Sequence, residues 1–315
     1  MTELWKTKGR SPLLRFKRKG DLPFPPAHEF LCACLILLVI GPGLLFQSCN
    51  RAIPEQTDEE VIEEIASDKV LAELYIDTAV TAEIRNLQIL VFRNDGIREL
   101  AQIIQAENGG AVKVWTDGGE WIAVAIANST TAVERKSVSR YDGLSQLEFM
   151  FQDDDPQAPV MTGVCGFAAG ESGKKISLGP FMCRVDIASV SNAMDGDVLV
   201  ENACVRLTDM NPSVHALQED EFIATEVIAE GRKAALPYDV GFYTQYPGIS
   251  LYCYPDTSPR GSLGSQSTGV LFECEIDGVK CSSSCSLPEL PRGSSVSVDI
   301  TVFSPDDIRF FCVSL

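Results

Sequence analysis

Histidine is almost missing from this chain. Of 315 residues two are His, and only His215 lies beyond position 28. Ser-His-Asp or Cys-His catalysis would rest on that one residue, in a loop beside Pro212. No glycine-rich phosphate loop opens a helix, because Gly109-Gly110 and Gly118-Gly119 read as turn dipeptides between strands. Basic residues are scarce too: 26 Lys and Arg face 44 Asp and Glu, for a net charge of −18. Seven of those bases fall in residues 1–30 against three acids, which leaves the body near −22. So acidic a body offers nothing to neutralise phosphates, which argues against nucleic-acid binding. No metal is expected: Cys281-Ser-Ser-Ser-Cys285 lacks the zinc spacing and a nearby His, and Asp153-Asp154-Asp155 lacks the alternation of an EF-hand loop. No pair of carboxylates is singled out for glycoside hydrolysis. The reading is a non-enzyme without cofactors.

Long apolar runs are limited to one. Phe30–Phe46 is broken by Gly41-Pro42-Gly43, and it falls short of the roughly 20 residues that span a bilayer. With its basic lead and Ser48 ahead of Cys49, it reads as a lipoprotein signal peptide over residues 1–48. Cys49 then becomes a lipidated N-terminus that tethers an extracytoplasmic body to a membrane; an uncleaved signal anchor is the alternative. Residues 49–69 form an acidic tether, with seven acids and no base from Glu55 to Asp68.

From residue 70 the pattern is that of short strands. Val70–Ile76 comes first. Ile84–Phe92 carries apolar residues on both faces, as a strand between layers does. Asn94-Asp95-Gly96 marks a turn, and Trp121–Ala127 a further strand. A helical interlude is expected over Val133–Phe151 and a loop at Asp153–Pro156. Phe181–Val190, Val198–Leu207, Ile249–Cys253, Val270–Ile276 with its Asp277-Gly278 turn, Val296–Val302 and Ile308–Leu315 follow as strands. The fold class is mainly β: two β-sandwich domains in tandem, at residues 70–215 and 216–315, with short helices in loops. Eight cysteines follow Cys49, with Cys281 and Cys285 read as a local pair or hairpin-loop feature.

Ile84–Phe92 with Asn94-Asp95-Gly96, then Trp121–Asn128, then Val160-Met161-Thr162-Gly163 as a turn and Ile176–Ile187 as a strand bearing Arg184, run in the order of blocks seen in fimbrillins. Tyr252-Cys253-Tyr254-Pro255 and Leu290–Gly293 before Val296–Val302 are similar to that family's C-terminal domain. The chain thus resembles the pilus proteins of Bacteroidales from about residue 70 to 315. The resemblance implies two transthyretin-like, Greek-key sandwiches, export as a lipoprotein, and assembly with other fimbrial subunits by strand exchange. In that scheme a protease removes the first strand and a neighbour's terminal strand fills the groove. Val70, Leu71, Leu74 and Ile76 would mark the strand removed, and Ile308, Phe310 and Cys312 a donor. No Arg occurs between Ala52 and Ile84 at which to cut, so a basal anchor that keeps its lipid stands beside a polymerising subunit. A surface lipoprotein that binds glycan or a host ligand through Trp115, Trp121 or Tyr243 is the alternative.

Overall fold

The computed structural model describes residues 69–78, 81–106, 110–259 and 266–315. The expected signal peptide at 1–48, Cys49 and the expected tether up to residue 68 lie outside the described residues. The strands in the first part are β1 (Val70–Thr78), β2 (Leu87–Arg93), β3 (Leu100–Ala106), β4 (Ala111–Thr116), β5 (Glu120–Ala127), β6 (Glu148–Met150), β7 (Met161–Ala168) and β8 (Ser172–Pro180). Then come β9 (Cys183–Asn192), β10 (Glu201–Met210), β11 (Ser213–His215), β12 (Ile228–Glu230), β13 (Ala234–Ala235), β14 (Thr244–Gln245) and β15 (Ile249–Cys253). The chain ends with β16 (Gly269–Ile276), β17 (Val279–Ser286), β18 (Ser295–Ser304) and β19 (Asp307–Ser314). The protein is mainly β, with sandwich-like layers in tandem.

Seven strands form one curled sheet in the order β3-β2-β5-β7-β8-β1-β4. Its concave face closes on Leu74, Ile89, Val91, Val114, Trp121, Phe167 and Ile176. The curl brings its two ends together, and the Gln102 side-chain amide on β3 donates to the Trp115 carbonyl on β4. β2 is buried on both faces, as its unbroken apolar run requires: Leu90 and Phe92 enter a second cluster with Phe149, Phe181, Val214 and Tyr254. That cluster is roofed partly by β6 and β11, which pair with each other.

The remaining strands make a two-sheet sandwich. One sheet runs β12-β10-β16-β17 with β13 also on β10; the other runs β14-β9-β18-β19 with β15 also on β9. Alternation places Val185, Ile187, Val205, Phe272, Val298 and Ile300 in one shared core. β9 and β10 precede residue 216, yet they pair with β15, β16 and β18 from beyond it.

Several local expectations need correction. No α-helix occurs among the described residues. Within 133–151 there are two 3-10 turns, starting at Tyr141 and Phe151, and β6. Val133, Val138, Leu144 and Phe149 reach their core without a helical stripe or a capping side chain. The expected strand Ile176–Ile187 is two strands broken at Phe181-Met182, which lie between β8 and β9. Gly163 sits inside β7 rather than in a turn, and a Cβ there would lie 2.3 Å from the Ser177 carbonyl oxygen. Gly163→Ala is therefore expected to cost at least about 2 kcal/mol. Gly166→Ala on the same strand, where the nearest atom is 3.9 Å away, serves as the tolerated control. Equal urea midpoints for the two variants would contradict this close approach.

Arg292 fastens the loop before β18 to the end of the curled sheet. Its guanidinium lies 3.9 Å from the Phe181 ring centroid. It donates to the Thr162 carbonyl (3.0 Å), the Thr162 hydroxyl (2.9 Å), the Pro180 carbonyl (3.3 Å) and the Gly179 carbonyl. Burial pulls its pKa down to about 10, so it remains a cation at neutral pH.

Candidate functional site: the first strand, its groove and the last strand

β1 is first in the described chain but interior in its sheet. It runs antiparallel to β4, with Leu74 opposite Val112 and Ala72 opposite Val114. On its other side it runs parallel to β8, with Ile76 opposite Ile176. Alternation sends Ala72 and Leu74, both fully buried, into the concave core, with Ile76 packed beside them. Leu71 faces outward opposite Trp115, and Val70 is half exposed against Gly170. Without β1 the facing edges of β4 and β8 would lose their ladder bonds, and the pockets of Ala72, Leu74 and Ile76 would open.

β19 is the mirror case, an edge strand paired only with β18 among the described strands. Ile308 is buried, and Phe310 and Cys312 pack against the sandwich core. Phe311, Val313 and Leu315 face solvent.

The linker between β1 and β2 carries a second correction. β2 begins at Leu87, not Ile84, which places Arg85 after the first strand and before the next. A strand starting at Ile84 would enclose Arg85 and leave no arginine in the linker; the strand that forms leaves Arg85 outside it. The cause is local: Ile84 extends the apolar run, but the ladder of β2 begins only where Leu87 meets Ala127.

Arg85 is held in place by Asn128, the residue that follows β5. The Asn128 Oδ1 accepts from the Arg85 amide at 2.8 Å, and Nδ2 donates to the carbonyls of Glu83 (2.8 Å) and Pro159 (3.0 Å). The Arg85 guanidinium meets Asp155 at 2.6 Å and Glu83 at 3.2 Å. The backbone amide of Gln157, and then Arg85, hold the Asp155 carboxyl below its ordinary range.

The remaining candidates are scattered. Trp121 is buried, its Nε1 donating to the Asp117 carbonyl, whereas Trp115 and Tyr243 are 52% exposed. His215 is exposed on β11. Asp154 is occupied by the Val160 amide and the Tyr254 hydroxyl, and burial raises its pKa. No group of three or more His, Cys, Asp or Glu among the described residues is placed to hold a metal.

Tyr238, Phe242 and Tyr246, not singled out in the sequence, join Tyr243 in the segment around β14. They are 75%, 89% and 80% exposed. Four aromatics within nine residues beside Pro237, Gly241 and Pro247 was the available signal. Gln245 stiffens the segment by donating to the carbonyls of Tyr238 and Asp239 at 3.1 and 2.7 Å.

The overall fold is similar to that of solved structures described as cell adhesion and fimbrial proteins. Among solved structures, the chain is similar to a candidate cell adhesion protein from Parabacteroides distasonis, with a TM-score of 0.60 and 14% identity over 78% of this chain and 97% of that one. It is also similar to a candidate cell adhesion protein from Bacteroides eggerthii, with a TM-score of 0.57 and 14% identity over 78% and 95%. A fimbrilin from Porphyromonas gingivalis gives a TM-score of 0.54 at 9% identity over 78% and 96%. At these identities the likeness is one of fold. No protein-family model matches the sequence, and no curated protein matches it.

Proposed function

We propose that this chain is a fimbrillin-type structural protein of the outer-membrane surface, anchored by lipid on Cys49 and assembled with other fimbrial subunits by β-strand complementation. Residues 1–48 are its signal peptide, 49–69 its tether, and the two β-assemblies its transthyretin-like, Greek-key domains. Its work is adhesion and assembly rather than catalysis. The observation that carries this reading is the placement of β1: the first of the described strands, interior between β4 and β8, is suited to be a removable insert. The pairing of β9 and β10 favours a domain boundary near residue 181 over one at 215.

Arg85 gives an arginine-specific protease a site in the linker. Cutting there makes a polymerising subunit, and leaving it intact makes a basal anchor. Mass spectrometry of the mature N-terminus separates the two: Asn86 as first residue marks a subunit, lipidated Cys49 an anchor. Blots of sheared surface material should show ladders for the first and one membrane-retained band for the second. Absence from pili in both fractions sinks the assembly role. Cys49→Ala should release the anchored form from membranes, and unchanged retention would support an uncleaved signal anchor.

The segment bearing Tyr238, Phe242, Tyr243 and Tyr246 favours a second reading, a surface lipoprotein that stacks sugars on exposed rings. A Phe242→Ala/Tyr246→Ala variant should then lose binding to immobilised glycans by roughly tenfold or more, as two stacking rings lost would give. Unchanged binding would set this reading aside.

A further inference from the structure

Six of the eight described cysteines meet in three pairs. Cys183 stands opposite Cys253 on β9 and β15, and Cys274 opposite Cys281 on β16 and β17. The third pair joins the two sheets of the sandwich: Cys285 on β17 and Cys312 on β19 place their Sγ atoms 3.8 Å apart. Cys281 and Cys285, expected as a local pair or a hairpin-loop feature, lie on the same strand β17. Four residues along one strand separate them by about 13 Å, whereas a disulfide needs Cα atoms within about 7 Å. The sequence shows the spacing of these thiols along β17 but not the strand that packs over it.

We propose that Cys285 and Cys312 form a disulfide that staples β19 to β17 and so locks the C-terminal strand in its own sandwich. This rests on the surface location and strand exchange proposed above. β17 and β19 are the open edges of their two sheets on the same side of the sandwich. They already touch at a second point, where the Ser283 hydroxyl donates to the Ile308 carbonyl at 3.4 Å. The other two pairs are more deeply buried. Burial pushes the Cys253 thiol well up and the Cys274 thiol up to about 12, and the thiolate is the species that attacks. Cys285 and Cys312 are only half-buried, so an oxidant reaches them first.

The chemistry is thiol–disulfide exchange outside the cytoplasm. The Cys285 and Cys312 thiols each lose a proton, the S–S bond forms, and two electrons pass to the disulfide of a thiol oxidoreductase, which leaves as a dithiol. The bond closes a loop between positions 27 apart, long enough to lower the population of detached β19 on the order of a hundredfold. A stapled chain keeps its last strand and cannot donate it. Reduction frees the strand, so donation is under redox control.

The test uses the full chain, taken from surface material after thiols are blocked with N-ethylmaleimide. Trypsin without reductant should yield peptides 281–292 and 310–315 as one cross-linked species, which separates on reduction. The species should survive Cys281→Ser and vanish in Cys285→Ser. Alkylated Cys312, or a cross-link lost with Cys281→Ser, overturns the disulfide. Amide exchange over residues 307–314 should then rise at least tenfold on reduction of the native chain and show no such response in Cys285→Ser/Cys312→Ser. Exchange indifferent to reductant overturns the lock. A mapped cross-link in a protein that never joins pili would instead leave the staple standing and remove strand exchange.

Discussion

Asn128→Ala is expected to turn Arg85 into a fast cleavage site. Three hydrogen bonds from one side chain hold residues 83–85 and the 159 carbonyl in place. A protease needs an extended stretch of several residues, so the linker must detach before Arg85 is cut. Each bond contributes about 1 kcal/mol net, so the variant loses about 2–3 kcal/mol of local stability. Cleavage that tracks the open population then accelerates on the order of 10- to 100-fold. A time course with an arginine-specific endoprotease, read by the appearance of an N-terminus at Asn86, measures this; Arg85→Gln abolishes that product. An unchanged rate would mean that Asn128 does not govern access. The Arg85–Asp155 contact adds a pH dependence. Because the folded pKa of Asp155 is depressed, its contribution is present above the ordinary carboxylate range and is lost as pH falls through the depressed value. Asp155→Asn imitates that acid state at neutral pH and should speed cleavage only slightly, because both side chains are exposed and screened.

Arg292→Ala should be the most destabilising exchange of a charged residue in the chain. Its guanidinium satisfies acceptors on β7 and β8 from a loop that belongs to the sandwich. Hydrogen bonds from a charged donor are each worth about 1.5–3 kcal/mol, and the relieved desolvation of the cation offsets part of that sum. A net loss of about 3 kcal/mol corresponds to a fall in Tm of roughly 6–12 °C for a body of this size. Arg292→Lys should recover little, because an ammonium group cannot present a planar fork to three carbonyls and lie flat on Phe181. Full rescue by Lys would show that charge alone, and not this geometry, is what matters.

Strands whose signal is local were legible in the sequence. β18 alternates over Val296–Val302, the β16–β17 hairpin turns at Asp277-Gly278 with both residues at positive φ, and β1 and β5 are compact apolar runs. β3 and β4 were not located, because Gln102, Gln105 and Lys113 dilute them and their faces are set by the curl of the sheet. The segment 133–151 misled because its apolar residues serve a core contributed by distant strands. The candidate site was half legible. Its two terminal strands lie where their patterns put them. The Asn128 hold on Arg85 spans 43 residues, and the Cys285–Cys312 contact is likewise non-local, so neither leaves a trace in local spacing.

The pairing order of the curled sheet has a consequence for assembly. Among the described strands β4 has β1 as its only ladder partner; Val112 and Val114 pack into the concave core, and the Gln102 bond crosses the seam. A chain stripped of β1 is therefore not a rigid slot awaiting a peg. Under the strand exchange proposed above, removal of β1 takes the ladder from β4, and an incoming strand would have to restore it while binding. Such coupled folding takes ordering entropy out of the binding free energy. Under the same proposal, an unfilled subunit would present an incomplete sheet and so a poorer template for the wrong segment.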